Sequence, residues 1–328
     1  MNHLDLFSGI GGFSLGLQQA GVETDYIGFS DIDPHANKTF KRRFPDAEEL
    51  GSVTDIQSDR LPRIDLITFG FPCQDLSIAG KRGGLKANRS SLFFEAIKII
   101  RNKKPKYFIF ENVKGIFSSN KGQDFDIILR SIADIGYDGE WQLCNTRWFL
   151  PQNRERIYFI GHIRGECRPK VFPLGETSEI IDNRETKVCN TLQHPGHSGG
   201  NYKGMTMIDT GLYKVHCTQT RNPNRPSLTK ECDCGSGKLY KKCCGAGGGS
   251  GHISKEDGTT YCLDTGNTQA VEVEKSNIRR LTPTECERLQ GFPDGWTEGQ
   301  SNTQRYKQLG NAVSVPVVKA IMEKLYET

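Results

Sequence analysis

The 328-residue chain contains no long apolar run; stretches such as Ile157–Ile160 fall far short of the ~18 residues that a membrane span requires. Its first residues lack the basic flank and apolar core of a secretory signal, so neither insertion nor export is expected, and the expected location is the cytoplasm. Charge of one sign is also scarce. The 43 basic and 39 acidic residues leave +4, so total charge does not argue for a polyanionic partner and only local clusters can. No internal repeat is visible, and the seven histidines form no metal-ligand pattern. Eleven cysteines spread along a chain without an export signal point to reduced thiols with particular uses rather than to a disulfide scaffold. What is present, 35% hydrophobic residues including 17 Phe, suffices for a large packed core. The length allows one large α/β domain with an appendage or two ordinary domains.

Up to about residue 173, short β-rich runs alternate with helical patterns, as in a mostly parallel, doubly wound sheet. The predicted strands are His3–Phe7, Tyr26–Ser30, Asp65–Gly70, Tyr107–Glu111, Gln142–Thr146 and Arg156–His162. Apolar residues three and four apart predict helices over Gly12–Ala20, Pro34–Phe44, Leu92–Arg101 and Phe125–Ile135. From 174 to 277 both periodicities fade into Gly, Asn, Thr, Ser and charged residues, a small loop-rich domain containing the connector-like Gly245–Gly251. Regular patterning returns over 278–328, with helices predicted at Thr282–Gln290 and Val315–Tyr326, and this segment is expected to fold back onto the first domain.

Three features carry chemistry. The first strand runs into Asp5-Leu6-Phe7-Ser8-Gly9-Ile10-Gly11-Gly12, a glycine-rich turn that lets a ligand approach the backbone, and the second ends at Asp31, where such folds place a carboxylate on ribose hydroxyls. The third runs into Gly70-Phe71-Pro72-Cys73, setting a thiol beyond a strand's carboxyl end, and the next ends in Glu111-Asn112-Val113. A parallel sheet presents Cys73 and Glu111 on one rim, an arrangement suited to nucleophilic attack with acid assistance, although either alone reads as a structural Cys or an N-capping Glu. Between them, Leu76–Phe94 holds Lys81, Arg82, Lys86 and Arg89, no acid, and three glycines. It reads as a basic hinged lid for phosphates, or as a solvated loop.

With those residues the chain resembles the bacterial and phage DNA (cytosine-5)-methyltransferases. Asp5–Phe13 is similar to the family's cofactor turn, Gly70–Gln74 to its Pro-Cys motif, Glu111-Asn112-Val113 to its acid motif and Gln152–Arg156 to its Gln-x-Arg-x-Arg motif. Arg280–Pro283 through Arg288–Asp294 and Gln308–Val313 resemble its two last blocks. The resemblance implies a Rossmann-like S-adenosylmethionine-dependent sheet over 1–173, a target-recognition domain over 174–277 and a C-terminal segment, 278–328, returning to the catalytic domain. It implies that Phe7, Gly9, Ile10 and Gly12 cradle S-adenosylmethionine, with Asp31 on the ribose, Ile32 beside the adenine, and Pro72, Leu92, Asn311 and Val313 completing the pocket. Ser52 stands where members often carry an adenine-contacting Asp, leaving Asp55 as the neighbouring carboxylate.

The resemblance also implies a chemistry of which these residue types make physical sense. Cytosine C5 is too electron-poor to take a methyl directly, so the Cys73 thiolate adds to C6 while Glu111 engages N3; Arg156 orients the pyrimidine carbonyl and Arg154 supports the site. The base must be flipped out of double-stranded DNA, at a cost of a few kcal/mol. A monomer is expected, with a separately acting restriction endonuclease as a possible counterpart. The competing readings are an RNA cytosine C5 methyltransferase and a non-catalytic DNA-binding or zinc-adaptor protein.

Within the recognition segment, Cys232, Cys234, Cys243 and Cys244 form a C-x-C-x8-C-C cluster able to enclose one tetrahedral Zn2+, and resemble the short SEC-C motif. A disulfide pair in a loop is the alternative. Six cations against two acids between Arg221 and Lys242 make the surroundings basic, which suits a zinc-pinned loop on DNA; a protein-docking knuckle is the rival.

Overall fold

The computed structural model describes residues 1–72, 92–166, 169–175, 260–261, 270–274 and 277–326. All of them fall in one compact unit made of Met1–Thr210 and Thr260–Thr328. Its centre is a seven-stranded sheet built from β1 (Asn2–Leu6), β2 (Tyr26–Ser30), β3 (Glu48–Glu49), β4 (Leu66–Phe69), β5 (Tyr107–Val113), β6 (Tyr137–Asn145) and β8 (Glu155–Ile163), in the order β3-β2-β1-β4-β5-β8-β6. The first five run parallel, whereas β8 is antiparallel to both β5 and β6. Strand order reverses between β1 and β4, so the ends of these two strands flank the switch point at which open α/β sheets bind ligands.

Alternation along the strands supplies both faces of the sheet. Leu4, Leu6, Ile67, Phe69, Phe108, Phe110, Ile157 and Phe159 pack with Phe93, Ile97 and Ile100 of α3 (Leu92–Lys103) and with Ile128 and Ile132 of α4 (Gln123–Asp134). Leu66, Tyr107, Ile109, Tyr158 and Ile160 turn the other way, onto α1 (Gly12–Gln19) and α7 (Val315–Tyr326). A Cβ on Gly16 would come within 2.5 Å of Val318 Cγ1, so the α1–α7 crossing depends on that glycine. A third cluster joins Phe40 of α2 (Pro34–Arg43) and Phe44, its C-cap, to Leu289 of α5 (Pro283–Gln290), Phe292, Trp296, and Leu309 of α6 (Asn302–Asn311).

Several boundaries differ from the sequence reading. The strand expected from Gln142 starts at Tyr137: Asp138, Gly139 and Glu140 resemble a turn, but Asp138 pairs with Arg164 at 3.0 Å and Glu140 accepts from the Val171 amide. Gly139 lies so close to Phe159 that a Cβ would meet its ring at 2.3 Å, which is why a glycine interrupts this strand. Helix α6 was not anticipated, because NTQRYKQLGN carries almost no apolar stripe. Regular structure also begins before Ile278. The short strand β9 (Thr260–Tyr261) pairs with β7 (Gln152–Asn153), and β10 (Ala270–Glu274) forms an antiparallel pair with β11 (Asn277–Arg280).

Candidate active site

The turn from β1 to α1 holds Phe7, Gly9 and Gly11 at φ of 52°, 54° and 83°, a left-handed run that glycine tolerates and Phe7 adopts at a cost of about 1–3 kcal/mol. Among the described residues no atom lies within 4 Å of a Cβ built on Gly9, so none of them covers the backbone there. A Cβ at Gly12 would meet Val313 Cγ2 at 2.6 Å, so Gly12 is needed for packing against the returning segment. The Ile10 side chain is buried in the third cluster, and its carbonyl accepts Trp296 Nε1–H over 2.9 Å. The glycine-rich turn is thus fixed from behind.

Asp31 follows β2. Its Oδ2 accepts from the Gly9 amide and its Oδ1 from the Asp33 amide, each over 2.9 Å, so one carboxylate joins the two turns and each oxygen keeps outward acceptor capacity. Ile32, beside it, is 80% exposed, an isolated apolar side chain on the rim of a polar turn. Open backbone, a carboxylate held in place and an exposed aliphatic face fit an adenosyl ligand with ribose hydroxyls. Ser52 Oγ caps the short turn Val53–Asp55 by accepting from the Thr54 amide, and Thr54 Oγ1 donates to Asp55. Asn311 is exposed at the end of α6, Val313 is buried against α1, Leu92 opens α3 half-buried, and Pro72 is exposed.

On the other side of the switch point, Phe69 of β4 is in register with Phe110 of β5, which brings Gly70 opposite Glu111. A Cβ on Gly70 would lie 3.8 Å from Glu111 Oε2. The buried Asn112 Nδ2 donates to the Phe71 carbonyl over 3.0 Å while its Oδ1 accepts from the Val113 amide. Glu111 Oε1 lies 3.1 Å from Arg156 Nε and 3.8 Å from Arg154 Nη2, yet receives no hydrogen bond among the described residues. Arg154, 3% exposed, spends its Nη1 and Nη2 on the Gly310 and Ala312 carbonyls, bracing the last motif against the Glu111 rim. Gln152 Nε2 does the same for the Leu289 carbonyl over 2.9 Å. Burial keeps the neighbouring Tyr158 hydroxyl protonated, well above its ordinary range.

The predicted nucleophile Cys73, the lid cations Lys81, Arg82, Lys86 and Arg89, and the zinc candidates Cys232, Cys234, Cys243 and Cys244 lie outside the described residues. Among the described residues no group of three or more His, Cys, Asp or Glu could hold a metal, and no helix is long and apolar enough to cross a membrane. Cys144 and Cys286 are buried, and burial pushes the Cys144 thiol well up.

Sequence reasoning passed over a buried relay under the glycine-rich turn. The Thr68 hydroxyl donates to Asp5 Oδ1 over 3.0 Å, so in the 2.8 Å contact between His3 Nε2 and Thr68 Oγ1 the imidazole is the donor. Ser14 of α1 donates to Asp5 Oδ2 over 2.8 Å. Burial lowers His3 to about 3 and raises Asp5 to about 7. The only signal was the placement of polar residues at inward positions of β1 and β4, which an apolar pattern search discards.

Comparison with known proteins agrees with this geometry. Residues 1–327 match the family C-5 cytosine-specific DNA methylase. Type II methyltransferase M1.ScrFI of Lactococcus lactis subsp. cremoris is 34% identical over 334 residues, covering 99% of this chain and 77% of that protein. Type II methyltransferase M.HpaII of Haemophilus parainfluenzae is 34% identical over 99% of this chain and 88% of that protein. In fold, the chain is similar to the Entamoeba histolytica methyltransferase EhMeth, with a TM-score of 0.62 at 20% identity over 100% of this chain and 98% of that one. The Rossmann-like methyltransferase sheet and the ordered motifs have one explanation: the chain belongs to the C-5 cytosine-specific DNA methylase family and is a DNA (cytosine-5)-methyltransferase.

Proposed function

We propose that the protein methylates C5 of one cytosine within a specific double-stranded DNA sequence, as the modification arm of a restriction-modification system. The observation that carries this reading is the rim made by neighbouring strands, where the Phe71–Pro72 turn is tied to Asn112 beside Glu111. Cys73 is the next residue after that turn. Its thiolate adds to C6 of a flipped cytosine, forming the S–C6 bond and moving the C5–C6 π electrons to C5, which would take the methyl group as the donor's S–CH3 bond breaks and S-adenosylhomocysteine leaves. Glu111 engages N3 and Arg156 the pyrimidine carbonyl, offsetting the charge that develops on the ring. A base then takes the C5 proton, the S–C6 bond breaks with its electrons returning to the Cys73 sulfur, and the ring regains its double bond. Phe7, Gly9, Ile10, Gly12, Asp31, Ile32, Pro72, Leu92, Asn311 and Val313 hold S-adenosylmethionine, which when bound supplies an electrophilic methyl group.

Lys81, Arg82, Lys86 and Arg89 neutralise phosphates around the flipped base, and residues 174–277 read the sequence. Four thiolates within one short segment suit Zn2+, so Cys232, Cys234, Cys243 and Cys244 are its proposed ligands. The protein acts as a cytoplasmic monomer, and a cognate endonuclease acts separately on unmodified sites. The reading is tested by tritiated methyl transfer to duplex DNA and to transfer RNA, with bisulfite sequencing of DNA from expressing cells. Incorporation into duplex DNA at one sequence context is expected; incorporation into RNA alone, or none, overturns it.

A further inference from the structure

The returning C-terminal segment grips the turn that carries Asp31 and Ile32, and two of the gripping residues, Lys307 and Gln300, lie outside every motif assigned above to cofactor contact. Asp33, the N-cap of α2, accepts from the His35 amide with Oδ1 and pairs through Oδ2 with Lys307 Nζ of α6 at 2.8 Å. The Asp33 amide in turn donates to Asp31 Oδ1. One residue pair further along, Gln300 clasps His35 from two sides: its Oε1 lies 3.1 Å from His35 Nδ1, and its Nε2 donates to the His35 carbonyl over 3.1 Å. Thr39 Oγ1 donates to Gln308 Oε1 on the next turn of α2. Burial alone would raise Asp33, but the hydrogen bonds from Lys307 and the His35 amide outweigh it and hold the carboxyl below its usual value.

We propose that Lys307 and Gln300 are positioning residues for the cofactor, holding the β2–α2 turn so that the Asp31 carboxylate and the Ile32 side chain face the ligand. This rests on the S-adenosylmethionine reading of that pocket. The physical reason is that Asp31 and Ile32 sit on a connecting turn, and a turn must lose conformational freedom when it orders around a ligand. A turn already held by α6 and Gln300 has less to lose on binding. The contacts of both residues run to Asp33 and His35 rather than to a residue assigned to the ligand, so each acts through the turn. The Lys307–Asp33 pair is half-exposed on the lysine side, which limits its effect to a few-fold in affinity and makes that effect salt-sensitive.

The test is isothermal titration of S-adenosylmethionine and S-adenosylhomocysteine into the full chain, alongside steady-state methylation of duplex DNA. Lys307→Met and Gln300→Ala are each expected to weaken binding of both ligands about three- to five-fold, with kcat at saturating cofactor and KM for DNA within about twofold of the parent. Lys307→Arg is expected to restore affinity. Raising salt should weaken the parent more than Lys307→Met, because the variant has lost the screened pair. Unchanged cofactor affinity in a folded Lys307→Met protein, or a loss confined to kcat, overturns the inference. If Lys307→Met fails to give a cooperative melt, the uncharged Gln300→Ala replacement decides by the same criteria. A parent protein that binds neither ligand overturns the pocket reading itself, an outcome separate from any effect of the variants.

Discussion

Asn112 Nδ2 lies 3.0 Å from the Phe71 carbonyl, tying the strand that carries Glu111 to the turn that leads into Cys73. Both groups are buried, so replacing the amide strands an acceptor at a cost of about 1–3 kcal/mol and frees the turn. Asn112→Ala is expected to lower kcat by about ten- to a hundred-fold, because a displaced nucleophile spoils the reacting geometry, while cofactor affinity holds. Single-turnover methylation and cofactor titration on the same preparation check this. Equal losses in both would show that the contact serves general folding.

Glu111 Oε1 is buried beside two guanidinium groups and receives no hydrogen bond among the described residues. Glu111→Gln keeps the shape and removes the carboxyl, so turnover should fall about 10²- to 10⁴-fold with DNA affinity retained. Near-parental turnover would remove the residue from the chemistry.

The His3–Thr68–Asp5 relay predicts two opposed pH dependences. His3, lowered by burial from 6.5 to about 3, binds its proton in the unfolded chain first, so acidification between those values destabilises the fold. Asp5, raised by burial from 3.8 to about 7, binds its proton in the folded chain first. Its contribution is present below the unfolded value and is lost as pH rises through about 7. Between 3.8 and 6.5 the two slopes cancel. His3→Leu unmasks Asp5 and should be more stable at about pH 5 than at about pH 7.5, by roughly 2–3 kcal/mol. Asp5→Asn should show the reverse sign. Urea unfolding across that range measures both, and parallel curves for the two variants would contradict the assignment.

Gly16→Ala tests the packing of the last helix. Its Cβ would come 2.5 Å from Val318 Cγ1 and 3.2 Å from the Lys319 amide nitrogen, leaving backbone in the way as well as side chain. Overpacking of this kind costs about 1–3 kcal/mol, which should appear as a lower thermal midpoint. An unchanged midpoint would mean that α7 sits farther from α1 than described.

The parts of the proposed rim are readable in the sequence because they are local: a glycine-rich turn, a Pro-Cys pair and a Glu at a predicted strand end occupy a few residues each. What joins them was not. Lys307 and Gln308 reach α2 from a helix whose polar sequence carries no stripe, and Arg154 braces carbonyls more than 150 positions away, at Gly310 and Ala312. The reversal of β8 and β6 was equally hidden, since an apolar run such as Ile157–Ile160 reads the same in either direction. His3 and Asp5 broke the expected alternation by placing polar groups inward, where only the distant Thr68 explains them.

The central claim is a sulfur–carbon bond between Cys73 and a cytosine ring. Incubating the protein and S-adenosylmethionine with a duplex that carries 5-fluorocytosine at the recognised position should give a denaturation-resistant complex of one chain with one oligonucleotide, because fluorine cannot leave C5 as a proton does. Mass spectrometry should place the bond on Cys73, and Cys73→Ala should bind the duplex without forming the complex. Full methylation by Cys73→Ala, or an adduct mapped to another residue, would contradict the account.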